Sequence, residues 1–471
     1  MIDKDKFRRI LKIARLVLIL AVAAVLIGVT IFAAEFCYDF FVNGLFGDGD
    51  TSGFIGDVLN IPEPTQPEQT VPTEPGTIAV SSRATITVTG DVMMHMPVVN
   101  SGKESDGTYN FDSSFSRISH YVNQADYAIA NLETTLGGTD NGRSYSGFPQ
   151  FNSPDEIVDA AKNAGFDMYL TANNHTNDTG AAGIRRTYST VISKGMAVLG
   201  TTEKPEDPGY QVLDINGIRV GMVCYTFGEY TSAGRPSVSG LPLDDSVAEL
   251  VNIFDYNKLD TFYSRIESQI ADMKEAGAEA IVLFIHWGNE YQLAANDYQK
   301  TIAQKMCDLG VDVIAGGHPH VIQPVTMLTS STDPDHQTLC VYSLGNLLSN
   351  QRSDNVGVSS GHTEDGVLLS FTFVKYSNGE VHLDSADMLP TWVHMWKEDD
   401  HKEYCILPLD ADIEDWKTAL DITDSTYAAA RASYDRTIAV IGEGLQAAQA
   451  ALDQARSNRE ALFGITDEGV G

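Results

Sequence analysis

From Ala84 to about Pro408 the chain alternates short apolar runs with longer stretches of helical periodicity. The apolar runs are Ala84–Thr89, Tyr127–Ala130, Asp167–Thr171, Ile218–Cys224, Ala280–Ile285, Val311–Ala315 and Thr338–Ser343. Their length and β-branched content read as strands. One intervening helix is signed at both ends. Ser153, Pro154 and Glu156 offer a cap, a first-turn proline and a capping-box glutamate, and Gly165 can close it. A second helix begins near Asn296 and stops at Gly310. Strand and helix in alternation predict an α/β domain with a largely parallel, layered sheet.

The ends of the chain follow other patterns. Leu16 to Ala34 carries no charge, and Lys4, Lys6, Arg8, Arg9, Lys12 and Arg15 precede it. At 1.5 Å rise per residue such a run crosses a hydrocarbon core of about 30 Å. The basic flank stays cytoplasmic, so the expectation is a single-pass cell-membrane anchor with the main domain extracytoplasmic. The run is longer than the apolar core of an ordinary signal peptide, which favours an uncleaved anchor. Pro62, Pro64, Pro67, Pro72 and Pro75 then alternate with Thr, Glu and Gln, a composition that stays extended. Near the other end, Tyr434, Ile438, Ile441, Leu445, Ala448, Leu452 and Ala455 form an apolar seam at heptad spacing, broken in helix propensity by Gly442 and Gly444. Such a helix either packs back on its own domain or drives self-association. The expected organisation is therefore 1–45 stub and transmembrane anchor, 46–83 linker, 84–410 main domain and 411–471 helical tail.

Charge narrows the partners. Against 31 basic side chains stand 64 acidic ones, a formal net charge of −33. That excludes nucleic acid as the principal partner, because phosphate contacts need Lys and Arg. The five cysteines, Cys37, Cys224, Cys307, Cys340 and Cys405, are scattered without a CxxC pair and read as small buried thiols rather than a disulfide framework.

The chemistry-bearing residues share one placement. Gly90-Asp91, Asn131-Leu132-Glu133, Asn173-Asn174-His175, His286-Trp287-Gly288 and Gly317-His318-Pro319-His320 each follow directly on a predicted strand. Ligands of open α/β sheets bind at the carboxyl ends of strands, so five separated segments converge on one edge. Carboxylates, an amide and imidazoles without thiolate suit one or two divalent ions of the Mn, Fe or Zn kind. Paired ions of that kind activate water and stabilise a phosphoryl transition state. His175, next to Asn174, is placed to give a proton to a leaving group.

At these residues the sequence resembles the CapA family of poly-γ-glutamate capsule biosynthesis proteins, a branch of the calcineurin-like metallophosphatase fold. The resemblance runs from about Thr85 to Pro390. It covers Thr89-Gly90-Asp91-Val92-Met93, Ala130-Asn131-Leu132-Glu133, Ala172-Asn173-Asn174-His175 with Asp178 and Gly180, His286-Trp287-Gly288 with Glu290-Tyr291, Gly317-His318-Pro319-His320, and Tyr342-Ser343-Leu344-Gly345-Asn346. It implies a four-layer α/β/β/α sandwich. It also implies Asp91, Glu133, Asn174, His286, His318 and His320 as metal ligands, His175 with Asp178 as the catalytic pair, and Ser343 to Asn346 as a supporting loop. Two departures from the wider superfamily stand out: Met93 occupies the place of a usual histidine, and Glu133 that of a usual aspartate. The function implied is synthesis or export of an anionic envelope polymer such as poly-γ-glutamate, at the membrane and within a capsule synthesis complex. The alternatives are an extracytoplasmic metallophosphoesterase for small or lipid-linked phosphoesters, and a non-enzymatic assembly partner.

Overall fold

Period-two alternation of buried side chains builds two sheets that face each other. The computed structural model describes residues 78–357, 360–398, 401–410 and 422–464. They belong to the unit Pro75–Gly471. The unit Met1–Glu74, with the expected anchor at Leu16–Ala34, lies outside the described residues. Among the described residues no helix is long and apolar enough to cross a membrane.

The first sheet centres on β1 (Val80–Val92), which pairs in parallel with β2 (Tyr127–Leu132); β3 (Met168–Leu170) and β4 (Ala197–Leu199) follow outward, also parallel. On its other side β1 pairs antiparallel with β16 (Asp365–Tyr376), which leads to β17 (Val381–Glu398) and β18 (His401–Pro408). The second sheet runs β10 (Ile253–Phe254), β6 (Ile218–Phe227), β11 (Ala280–His286), β12 (Val313–Gly317), β14 (Gln337–Val341), β13 (Val325–Thr329), with β5 (Tyr210–Ile215) also on β6. Each predicted strand is present. The sheets are nevertheless mixed rather than largely parallel. The C-terminal strands return by hairpins, and Asn378-Gly379, with φ 90° at Gly379, makes the tight turn between β16 and β17. The central strand also begins at Val80, inside the stretch read as linker, because Ile78 and Val80 bury against Val374 and Tyr376.

Along β11, Ala280, Val282 and Phe284 face the space between the sheets while Ile281, Leu283 and Ile285 face outward. Pleat geometry explains the split, since successive side chains point to opposite faces. Outward residues of the first sheet are covered by α1 (Met96–Ser101), α2 (Asp112–Phe115), α3 (Ser119–Val122) and α4 (Glu156–Ala164). Next in the chain is α5 (Gly180–Ser193), and the outward residues of the second sheet are covered by α6 (Leu259–Glu275) and α7 (Asp297–Asp308). Helix, sheet, sheet and helix are thus four layers. At α7 the expected start is realised as a capping box between Asn296 and Gln299. At α4 it is not: Ser153 spends its hydroxyl on Thr134 Oγ1 at 2.6 Å, and the helix starts two residues later without a side-chain cap. Gly165 closes α4 at φ 110°, as expected.

The tail is α8 (Asp424–Phe463). Its seam is used on its own domain: Ile441, Ala448 and Leu452 join the core between the sheets, beside Val325 of β13 and Ala386 and Met388 of β17. Gly444 is required there, because a Cβ would stand 2.1 Å from the Val325 carbonyl oxygen. Cys224, Cys307, Cys340 and Cys405 are buried free thiols.

Candidate metal centre

Close approach of strand ends assembles the centre. Gly90 lets β1 pass the Gly345 turn, where a Cβ would lie 2.0 Å from the Gly345 oxygen. The register of β1 against β2 then slips between Val88 and Asp91, and Asp91 comes opposite Asn131 on one side and Asn346 of β15 (Asn346–Leu348) on the other. Asn131 Nδ2 donates to Asp91 Oδ1 at 2.7 Å, and the His318 backbone N–H donates to Oδ2 at 3.2 Å. After β12 the chain turns through positive φ at both His318 (95°) and His320 (56°). Non-glycine residues reach that region at a cost that functional sites commonly bear.

All eight residues singled out from the sequence meet here. Glu133 is the hub: its Oε1 lies 3.5 Å from His286 Nε2, 3.7 Å from His320 Nε2 and 3.9 Å from His175 Nε2. Asn174 Oδ1 is 2.7 Å from His286 Nε2. His320 Nδ1 is 3.2 Å from Asp91 Oδ2. His175 Nδ1 is 2.8 Å from Asp178 Oδ2, which also accepts the Phe151 backbone N–H at 2.6 Å. Asp178 therefore orients His175 and leaves Nε2 toward the hub. Asn173 orients the same turn, donating to Leu132 O at 2.8 Å and accepting the His175 N–H at 3.1 Å. Ser239, from the small sheet of β7 (Glu229–Tyr230), β8 (Pro236–Val238) and β9 (Leu241–Pro242), donates to the Asn174 carbonyl at 2.9 Å. Trp287 has a packing place instead, with Nε1 donating to Tyr342 O at 2.9 Å.

The electrostatics suit a cation. Among the described residues neither Glu133 oxygen has a hydrogen-bond partner although both are buried, and His318 Nδ1 is likewise unpartnered. Burial and the neighbouring Asp91 carboxylate push Glu133 well above the usual carboxylate range. Burial also raises Asp91, but the His320 hydrogen bond and the electrostatic interaction with the His286 and His320 rings outweigh it and hold that carboxyl low. Burial lowers His286 to about 3, and burial with neighbouring imidazoles holds His318 well below its ordinary value. These are neutral imidazoles ready to donate lone pairs. Two sets bring their ligand atoms within 4.8 Å of one another, Glu133 with His286 and His318, and Asp91 with Glu133 and His320. An isolated buried carboxylate is costly, and a divalent ion held by these residues would satisfy the orphaned atoms. The residues fit the group.

Two contributors had no assigned role in the sequence reading. Asn131 lay inside a quoted motif, but its use as the Asp91 partner follows from β1–β2 register. His95 lies four residues after Asp91, just past the end of β1, and packs edge-to-face with the Phe151 ring as His175 does, at centroid distances of 5.1 and 4.7 Å. Its Nδ1 accepts the Asn350 N–H at 3.3 Å, and burial lowers it to about 4.

With this geometry in view, the comparisons define a class. Residues 85–351 match the family model of the bacterial capsule synthesis protein PGA_cap, and the chain belongs to that family. It is 30% identical over 274 residues to the capsule biosynthesis protein CapA of Bacillus anthracis, across 58% of this chain and 61% of that protein. The chain thus spans about three fifths of the length of that relative. It is 25% identical over 347 residues to the PGA biosynthesis protein CapA of Bacillus subtilis (strain 168), across 71% of this chain and 82% of that one. A Staphylococcus aureus protein assigned as a 5'-nucleotidase, solved with alpha-ketoglutarate, aligns with TM-score 0.40 and 14% identity over 75% of this chain and 58% of that one. That score is too low to carry the fold, which rests on the four layers described above.

Proposed function

We propose that this chain acts at the cell membrane in synthesis or export of an anionic envelope polymer of the poly-γ-glutamate type, through a metal-dependent hydrolase-like centre. The observation that carries the reading is the Glu133 hub, a buried carboxylate with three imidazole nitrogens within 3.9 Å and no hydrogen-bond partner among the described residues, in a chain of the PGA_cap family. Asp91, Glu133, Asn174, His286, His318 and His320 would hold one or two divalent ions of the Mn, Fe or Zn kind. When bound, such ions supply Lewis-acid attraction for an anionic oxygen. That attraction lets a chain of net charge −33 hold an anionic polymer. His175 holds a proton at Nε2 for a leaving group while Asp178 fixes its ring. Phe227, packed against His318 at 4.7 Å, and Phe151, against His175, restrict water at the centre. The run Leu16–Ala34 would be the anchor, with the N-terminus cytoplasmic and the domain outside.

The test uses the full chain in detergent, loaded with Mn²⁺. Metal content is measured by elemental analysis, and cleavage is followed on poly-γ-glutamate and on bis(p-nitrophenyl) phosphate. The expected result is retained metal and shortening of the polymer. Turnover of the phosphodiester alone would move the protein to the phosphoesterase reading. Retained metal with neither turnover would leave an assembly role, and a chain that retains no metal would overturn the proposal.

A further inference from the structure

Asn346 ends the motif Tyr342-Ser343-Leu344-Gly345-Asn346 and is buried beside His320. The orientation of its amide is not free. Nδ2 donates to two backbone carbonyls, Thr363 O at 2.9 Å and His320 O at 3.3 Å, and to Gln351 Oε1 at 3.1 Å. Carbonyl oxygens only accept, so the nitrogen must face them and Oδ1 must face His320. Oδ1 lies 3.1 Å from His320 Nδ1. The second neighbour of that ring atom is Asp91 Oδ2 at 3.2 Å, also an acceptor. An imidazole nitrogen set between two acceptors carries the proton. The other ring nitrogen, Nε2, then presents its lone pair on the side of Glu133.

We propose that Asn346 is a positioning residue that locks His320 in the Nδ1–H tautomer and so makes Nε2 the metal-binding atom. The proposal rests on the metal-centre reading above. It also extends to the tail. Thr363, whose carbonyl holds the Asn346 amide, lies in the turn Gly361–Asp365. That turn is clamped from outside by α8: Arg436 donates to Gly361 O at 3.3 Å and to both Asp365 oxygens at 2.7 and 3.0 Å, and Ser433 donates to Asp365 Oδ1 at 2.6 Å. A helix outside the family-matched span 85–351 thereby reaches the centre through Thr363 and Asn346.

Nitrogen-15 correlation spectra of imidazole-labelled full chain, metal-free, read the tautomer directly, with His320→Gln assigning the signal. The wild-type chain should show His320 protonated at Nδ1. Asn346→Asp keeps an acceptor oxygen toward Nδ1 while losing the donor to Thr363 O, His320 O and Gln351 Oε1, and should keep the Nδ1–H tautomer in a less stable chain. Asn346→Leu removes one of the two acceptors, leaves Asp91 Oδ2, and should raise the share of the Nε2–H tautomer. Removing an outer partner of a ligating histidine weakens metal affinity about 10–100-fold, and Mn²⁺ titration of Asn346→Leu should show a loss of that size. Arg436→Met should show a smaller loss in the same titration. A wild-type His320 protonated at Nε2 would overturn the proposal without any variant, even if Asn346→Leu failed to fold. So would an Asn346→Leu chain with unchanged tautomer and unchanged Mn²⁺ affinity. A wild-type chain that shows the Nδ1–H tautomer but takes up no Mn²⁺ would overturn the metal-centre reading and, with it, the assignment of Nε2 as a ligand.

Discussion

Two glycines of α8, two residues apart, should respond to alanine with opposite sign. In an exposed helix interior Gly→Ala gains about 1 kcal/mol. Gly442 meets that condition nearly: an added Cβ would touch only Ile438 Cγ2, at 3.3 Å, on a side chain that is itself 37% exposed. Gly442→Ala should therefore stabilise by about 0.5–1 kcal/mol. At Gly444 the Cβ would meet the Val325 carbonyl oxygen at 2.1 Å, and backbone of β13 cannot rotate away. Ordinary contact begins at 3.4 Å, so the helix has to retreat by about 1.3 Å. A gap of 0.5–1 Å already forfeits about a quarter to a half of dispersion contact. Ile441 and Leu452 are the large apolar side chains that α8 buries between the sheets, each worth about 1.5–3 kcal/mol of burial. Losing half of that outweighs the propensity gain, and Gly444→Ala should destabilise by about 1–2 kcal/mol or more. Urea unfolding followed by far-ultraviolet circular dichroism gives both values. If Gly444→Ala is stabilised as much as Gly442→Ala, α8 is not seated on β13 and its support of the metal centre fails with it.

Further outcomes follow from the centre. His318→Ala should lower bound metal per chain in elemental analysis, whereas His175→Ala should leave it unchanged and remove most turnover, about 10²–10⁴-fold for a lost acid–base group. Glu133→Gln should raise the melting temperature of the metal-free chain at pH 7, since it removes a buried carboxyl whose ionisation burial opposes, and should abolish metal uptake. For His95, burial sets the folded value at about 4 against an ordinary 6.5, so the unfolded chain takes up the proton first as pH falls. Its contribution to stability is complete above about pH 6.5 and is lost on acidification toward pH 4. His95→Gln should flatten the stability–pH slope in that window by about 1.4 kcal/mol per pH unit, measured on metal-free protein by urea unfolding.

Seven strands were legible as short apolar runs, five of them ending in a polar cluster, as in Ala280–Ile285 followed by His286; β4, β5, β7 to β10 and β13 were not assigned. The site was legible for the same reason, since strand ends gather whatever follows them. The antiparallel strands after Asp365 were not assigned, although Asn378-Gly379 is a hairpin signal in plain view. Their alternation, as in Val381 to Thr391, is diluted by acidic residues such as Asp384 and Asp387. Asp384 is buried and answered by Arg83 and Arg456 from distant segments, a pairing no local pattern reveals. The roles of Asn131 and Asn346 were hidden for a related cause. Both depend on which strand lies beside β1, and sequence spacing does not encode that neighbour.

The pairing of β1 with β16 carries a consequence for biosynthesis. Ala84 is partnered by Phe373 and Thr89 by Leu368, so the middle strand of the first sheet waits for residues synthesised nearly three hundred positions later. Loop closure over such separations is slow, and chains rich in distant pairings fold late. Until the segment beyond Asp365 has emerged, β1 keeps an open edge along Ala84 to Thr89. The strand that carries Asp91 into the acid–imidazole cluster therefore gains its second flank only late in synthesis.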